Sequence, residues 1–394
     1  MIRWSGAVLA SMAFAAAADT QFSPYAASQL QYDSNVFALP SRDAAAAQDG
    51  DPTRADTVQR YRAGVDARYR WGRQALRGSV EGRHFDYWHF GRLDHDEYTV
   101  TGGLDWVAAS AVGGALEFSQ ERRMAPFLDR NSTELTMETD RSGRGHFDLA
   151  LNPEWSVRAG FDIHRLDSPL PAYPGFALDE NAGDLALRYL GAGKLALGLY
   201  TEYVEGGYSG VPDAAEFRQA TADLTADYAV SGVSEISARL GYSQRQSRNG
   251  GGGGDVSGTT GSLEYRRHFS VKTSGDLQVF RRISSYVGGT NSVVDTGAGL
   301  GFRWEPDVKL AISPTYTWTQ SVYHGLAVGS SAAAGRRDHF QDARLDLDFR
   351  ALPWLSIRPF ARYRVRGSNS SANAFNEAMA GIDIVARLGT APAR

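Results

Sequence analysis

Apolar and polar residues alternate with a period of two along most of this chain. From 343 to 350, Ala343, Leu345, Leu347 and Phe349 fall on one side and Arg344, Asp346, Asp348 and Arg350 on the other. Successive side chains of a strand point to opposite faces, so the pattern predicts a strand with one apolar and one charged face. After Ala351-Leu352-Pro353 the alternation resumes: Leu355, Ile357, Pro359, Ala361, Tyr363 and Val365 oppose Ser356, Arg358, Phe360, Arg362 and Arg364. A three-residue turn centred on Leu352 would set Asp346 opposite Arg358 and Asp342 opposite Arg362. Arms of about eight to eleven residues are long for a soluble sandwich and match bilayer-crossing strands. The apolar face is therefore expected to meet lipid.

The same reading places arms near 24–36, 57–70, 74–88, 97–108, 112–124, 133–152, 155–167, 178–190 and 194–206. Further arms fall near 215–230, 233–246, 257–268, 271–283, 292–304, 308–322, 338–350, 354–367 and 375–388. That is eighteen, with sixteen as the alternative, and both are even. Short turns at 71–73, 109–111, 152–154, 191–193, 231–233, 269–271, 305–307 and 351–353 alternate with long loops such as 40–56, 123–132, 167–177 and 323–337. Short periplasmic turns on one rim and long extracellular loops on the other are the layout of an all-β, transmembrane, antiparallel up-and-down barrel. Such a barrel removes its edges by closing, here near 25–32 against 378–388. Trp71, Trp106, Trp155, Trp304 and Trp354 sit beside short turns and are expected to form a periplasmic aromatic girdle. Lys194, Lys272 and Lys309 fall at the same rim.

Composition narrows the setting. Met1-Ile2-Arg3, an apolar run over 4–18 and Ala16-Ala17-Ala18 read as a secretory signal peptide cleaved near Ala18, leaving 19–394 as one barrel domain. With no cysteine there is no lipid-attachment residue and no disulfide framework. Past residue 18 no apolar stretch approaches the roughly 20 residues of a spanning helix, and mean hydropathy is −0.35, which excludes a helical inner-membrane protein. A net charge of −4 gives no basic footprint for nucleic acid. The expected location is the outer membrane of a Gram-negative bacterium, with lipid and the barrel-assembly machinery as partners.

The inward set carries both signs of charge. The expected lumen-lining residues are Arg62, Asp66, Arg68, Glu117, Glu121, Arg239, Arg303, Arg344, Asp346, Arg358, Arg362 and Arg364. They could be structural, pairing across strands. Alternatively they form a polar conduit whose guanidinium forks bind carboxylate or sugar hydroxyl groups. Gly297, Gly299 and Gly301 lie in a strand pattern and open no helix, so they are not a phosphate loop; they would let a loop approach the wall. The run 250–254 reads as a mobile loop tip. Asp94-His95-Asp96-Glu97 lacks the spacing of a calcium loop and reads as a solvated charge run. Phe85, Tyr87, Trp88 and Phe90 could stack on sugar rings, but read as an external girdle. There is no G-x-S-x-G, no H-E-x-x-H and no cysteine. Of the histidines, His84 and His164 are expected within strands, with no serine placed beside either. No catalytic residue, metal site or cofactor is expected, and the chain is not read as an enzyme.

The first arm runs into Tyr32-Asp33-Ser34-Asn35-Val36-Phe37-Ala38-Leu39, and a late strand is preceded by Gly335-Arg336-Arg337-Asp338. These stretches, with the proline-containing short turns, resemble the EpsL-type exopolysaccharide-biosynthesis outer-membrane barrels over essentially the whole mature chain. The resemblance implies a role in exopolysaccharide production or export beside a polysaccharide export lipoprotein, with the polysaccharide as a partner. It carries over no site residues. The alternative function is a general or ligand-specific diffusion porin. Either way an eighteen-stranded barrel leaves a water-filled channel unless something fills it. The loop 40–56 is the expected constriction, with a helical turn at Ala44 to Ala47 and with Arg42, Asp43, Asp49 and Asp51 meeting Arg62 and Arg68.

Overall fold

Every arm in that pattern becomes a strand. The computed structural model describes residues 19–130, 132–170, 173–191, 193–211, 216–248, 255–285, 292–325 and 335–388. The expected signal segment, the 250–254 tip and the last residues, 389–394, lie outside them. The strands are β1 Asp19–Asp33, β2 Asp56–Trp71, β3 Gln74–Tyr87, β4 His95–Ala109, β5 Val112–Met124, β6 Met137–Ala150, β7 Trp155–Asp167, β8 Ala177–Leu190 and β9 Leu195–Ser209. They continue as β10 Glu216–Ser231, β11 Ser234–Ser247, β12 Val256–Ser270, β13 Thr273–Ser285, β14 Ser292–Asp307, β15 Leu310–His324, β16 Arg337–Leu352, β17 Leu355–Ser368 and β18 Phe375–Arg387. Each pairs antiparallel with its sequence neighbours, and β1 pairs with β18 from Tyr25 opposite Arg387 to Asp33 opposite Met379. The sheet is therefore a closed eighteen-stranded barrel with no free edge, as bilayer hydrocarbon requires.

Two arms end earlier or start later than the alternation suggests. β1 stops at Asp33, whose carboxylate accepts the Asn35 N–H at 2.8 Å and turns the chain away from the sheet. β6 starts only at Met137, because 133–136 belong to a loop in which Thr133 bonds the Asp49 carboxylate at 2.9 Å. The prolines leave a local mark. Pairing of β16 with β17 lapses between Asp346/Phe360 and Phe349/Ile357, where Pro359 has no N–H to give, and β14 with β15 lapses likewise beside Pro314.

The turn of the 343–365 hairpin differs from expectation. It is a two-residue turn at Pro353-Trp354, preceded by a bulge between Arg350 and Leu352. The register moves by two, so Asp346 faces Phe360 and Asp342 faces Arg364. A shift of two leaves every side chain on its own face.

The faces can be carried from strand to strand by register. Gln29 lies opposite Arg60, Arg60 opposite Phe85 and Phe85 opposite His95; round the barrel, Arg358 opposes Asp383 and Asp383 opposes Gln29. One face of this set presents exposed apolar side chains, among them Leu224, Leu240 and Ile163. The other holds contacts that step over strands, such as Arg62 to Asp383 across β1 and Arg83 to Glu121 across β4. Only the concave side lets strands that far apart touch, so the charged face is the lumen and the apolar one meets lipid. Aromatic pairs mark the short-turn rim: Tyr69 with Trp71, Trp106 with Phe147, and Trp155 with Tyr189.

Facing can be tested at the middle of β10. Leu224→Arg should destabilise the barrel in lipid vesicles by about 2–4 kcal/mol, the cost of an arginine on the lipid face near the midplane. Thr225→Arg, one residue along and inward, should stay within about 1 kcal/mol of wild type in the same urea titration.

Candidate functional site

The inner wall is lined by charges that mostly satisfy one another. All twelve residues singled out in the sequence lie on the lumen side by register. Arg62 meets Asp383 and Glu81, Asp66 meets Arg387, Glu117 meets Arg77 and Arg144, and Glu121 meets Arg83 and Arg123. Arg239 reaches Asp223 at 3.3 Å, Arg303 reaches Glu305 at 2.6 Å, and Arg344 and Asp346 bond along their own strand at 2.6 Å. Arg358 lies 3.6 Å from Asp348, not beside Asp346, because of the two-residue register shift. Arg362 Nε still reaches Asp342 at 2.9 Å by leaning diagonally, while Arg364 is held by Glu377. Among the described residues Arg68 alone of the twelve makes no ion pair.

Toward the long-loop rim the wall is covered. L1 (34–55), L2 (88–94) and L3 (125–136) bury Phe37, Leu39, Ala45, Phe90, Leu93 and Phe127 together with Val58 and Tyr87 of the inner wall. Asn35 starts this cap: fully buried, its amide donates to the Leu39 and Asn376 carbonyls and accepts the Leu39 N–H. L1 carries a helix, α1 Arg42–Asp49, capped by the Ser41 hydroxyl on the Ala44 N–H and ended by Gly50 at φ 76°. Its acids do not reach Arg62 or Arg68. Asp49 meets Arg92 and Thr133, and Asp51 meets His89 at 2.8 Å, so α1 is tied to neighbouring loops and not to the wall. L3 crosses the mouth: the Leu128 carbonyl accepts from Arg366 Nη2 of β17 at 2.6 Å. A second cover lies over β7–β10, where L4 (168–176) packs Leu170 and Phe176 against Leu178, Tyr208 and Phe217.

Several readings of single motifs change. Phe85 and Tyr87 share the lumen face with Arg83, and Phe90 is buried in the cap; only Trp88 is exposed, so these residues are not an external girdle. Asp94-His95-Asp96-Glu97 is solvated only in part, with Asp94 and Asp96 exposed. His95 is buried against Phe85, rings 4.6 Å apart, and Asp94 accepts the Tyr87 N–H. The three glycines of β14 admit side chains, not a loop: an added Cβ would strike the cross-strand Phe280, Gln278 and Asp276. His84 faces outward between Asp86 and Asp96, and His164 faces inward between Asp140 and Glu180. Contrary to the expectation, Ser142 lies directly opposite His164 in the β6–β7 register, but both ring nitrogens of His164 are taken by Asp140 and Glu180, and Ser285 bonds Glu180.

Under L3 and L1 lies a cavity of about 360 Å³. Its roof is Val36, Ala38, Met124 and Phe127; its wall carries Gln29, Gln31, Asp33, Arg60, Arg364 and Glu377. Sequence reasoning passed over Arg60, Asp33 and Glu377. Arg60 had a signal, since it shares the face of Arg62 two residues on, whereas Asp33 and Glu377 come together only through closure.

This geometry is the porin-like fold of an outer-membrane β-barrel. The solved structures to which it is similar are barrels of that membrane. They include the OpdK outer membrane protein of Pseudomonas aeruginosa (12% identity, 93% of this chain and 99% of that one, TM-score 0.48). Another is the FrpB iron transporter of Neisseria meningitidis (10% identity, 88% of this chain and 62% of that one, TM-score 0.50). At these identities the likeness concerns fold alone. No protein-family model and no curated protein matches the chain.

The cap yields two expectations. Asn35→Ala leaves buried L1 groups without partners, which costs about 1–3 kcal/mol. Hydrogen exchange at the Leu39 amide should then run roughly ten- to a hundredfold faster while strand amides are unchanged. The Thr53 N–H and the His89 ring hold the Asp51 carboxyl down at about 2. Because the folded value is depressed, the L1–L2 contact it makes is fully present above the ordinary carboxylate range and fades only as pH falls toward that value. Protection of the Thr53 amide should persist at pH 4 and be lost near pH 2.

Proposed function

We propose that this chain is a passive outer-membrane channel for small hydrophilic solutes, restricted at its extracellular mouth by the L1–L3 cap. The observation that carries this reading is the largely polar inner face that the register follows through eighteen strands back to its start, in a barrel of a size that encloses water unless filled. The paired charges give a wetted wall with no strong net preference, and Arg68 adds an uncompensated cation lower in the lumen. Export begins with removal of the leader near Ala18, and insertion falls to the barrel-assembly machinery.

A second reading, a role in exopolysaccharide export beside a periplasmic lipoprotein, is favoured by the two stretches that resemble EpsL-type barrels. In this chain Asn35, Phe37 and Leu39 of the first stretch build the cap, and Arg336 of the second is buried against Asp338 and Tyr323. Such positions are structural, so they support kinship in fold more than the handling of a polymer.

Purified protein in planar bilayers should give discrete conductance steps, and deletion of 44–50 should enlarge them. In cells, removing the gene should impair small-solute uptake and leave secreted polymer normal. Lost polymer with unchanged uptake would instead favour the export reading.

A further inference from the structure

Arg60 differs from the arginines around it. Arg62 meets Asp383 and Glu81, and Arg83 meets Glu97 and Glu121. Arg60 is bound by the Gln29 side-chain oxygen and lies over the Phe85 ring at 5.8 Å, with no carboxylate in contact among the described residues. A half-buried guanidinium without a carboxylate in contact is a charge left for a ligand to meet. At the other end of the same cavity Asp33 and Glu377 are hydrogen-bonded to each other beside a single guanidinium, Arg364, so that a shared proton stands where a second cation could sit.

The two ends are separated by a fixed length. The bond to Gln29 holds the Arg60 head at the level of its cross-strand partner, and Arg364 holds Glu377 directly opposite itself. Asp33 lies four residues beyond Gln29 on β1, about 13 Å at strand rise. A chain of two residues spans about 7 Å, and a charged hydrogen bond at each end adds about 2.8 Å, for about 13 Å in all. A free amino acid, with both charges on one carbon, cannot reach both ends. A dianion would meet Asp33 and Glu377 with the wrong sign.

We propose that this cavity binds a small bipolar ligand of dipeptide size, with its carboxylate on Arg60, its ammonium between Asp33 and Glu377, and apolar side chains under Val36, Met124 and Phe127. The volume suits such a ligand. The site deepens the channel reading, which it needs only for the claim that the ligand is afterwards passed inward.

The test is calorimetry of the full refolded chain in detergent micelles with Leu-Leu, N-acetyl-Leu-Leu and Leu-Leu-amide. Leu-Leu should bind saturably, and each capped peptide, as well as R60Q with Leu-Leu, should be weaker by about tenfold or more. E377Q should weaken Leu-Leu and leave N-acetyl-Leu-Leu unchanged; circular dichroism checks that both variants are folded. Absence of binding at millimolar Leu-Leu, equal binding of the capped peptides, or an unaltered R60Q overturns the proposal. Conductance of the same preparation separates the two readings. A barrel that conducts without binding Leu-Leu keeps the channel and loses the site, and one that binds without conducting keeps the site and loses the channel.

Discussion

Backbone hydrogen bonding in hydrocarbon is the constraint on which everything else here depends. Lipid offers no partner to an open strand edge, so β1 must find β18 across the whole chain. Nine residue pairs join β1 to β18 and fifteen join it to β2, which makes the β1–β18 seam the weaker side of the first strand. Polar contacts gather there. Arg62 to Asp383 and Arg387 to Asp66 both step over β1 from β2 to β18, on the lumen side, and clamp the seam. The Asn35 amide adds a bond to the Asn376 carbonyl just above.

Closure also sorts the side chains. Once an even number of strands meets edge to edge, period two forces one face into lipid and the other into an enclosed lumen, where charge is tolerated because it is wet or paired. Most inward arginines therefore serve the wall. Among the described inward arginines without an ion pair are Arg68 low in the lumen and Arg60 under the cap. The loops complete the arrangement, because the inner wall near the long-loop rim turns apolar at Val58 and Tyr87 and draws Phe37, Ala45 and Phe127 onto it.

Strand positions were legible because alternation and turn spacing are written locally. The side on which each of the twelve inward residues lies follows from period two alone. The hairpin register was not legible, since a bulge between Arg350 and Leu352 leaves the alternation intact while moving the pairing by two. Phe85 and Tyr87 were misread for a different reason. Their parity with Arg83 pointed inward, but proximity to a long loop suggested a girdle. Contacts such as Arg92 with Asp49, or Arg366 with the Leu128 carbonyl, join loop residues far apart in sequence and have no periodic signature.

The central claim is a water-filled lumen lined by the predicted face. Because the chain has no cysteine, single cysteines report on it without background. Thr221→Cys and Thr225→Cys on β10 should react with a charged, membrane-impermeant thiol reagent in lipid vesicles, while Ala222→Cys and Ala226→Cys should be protected and react only with a lipophilic one. Protection of the threonine pair, or equal labelling of all four, would contradict the account.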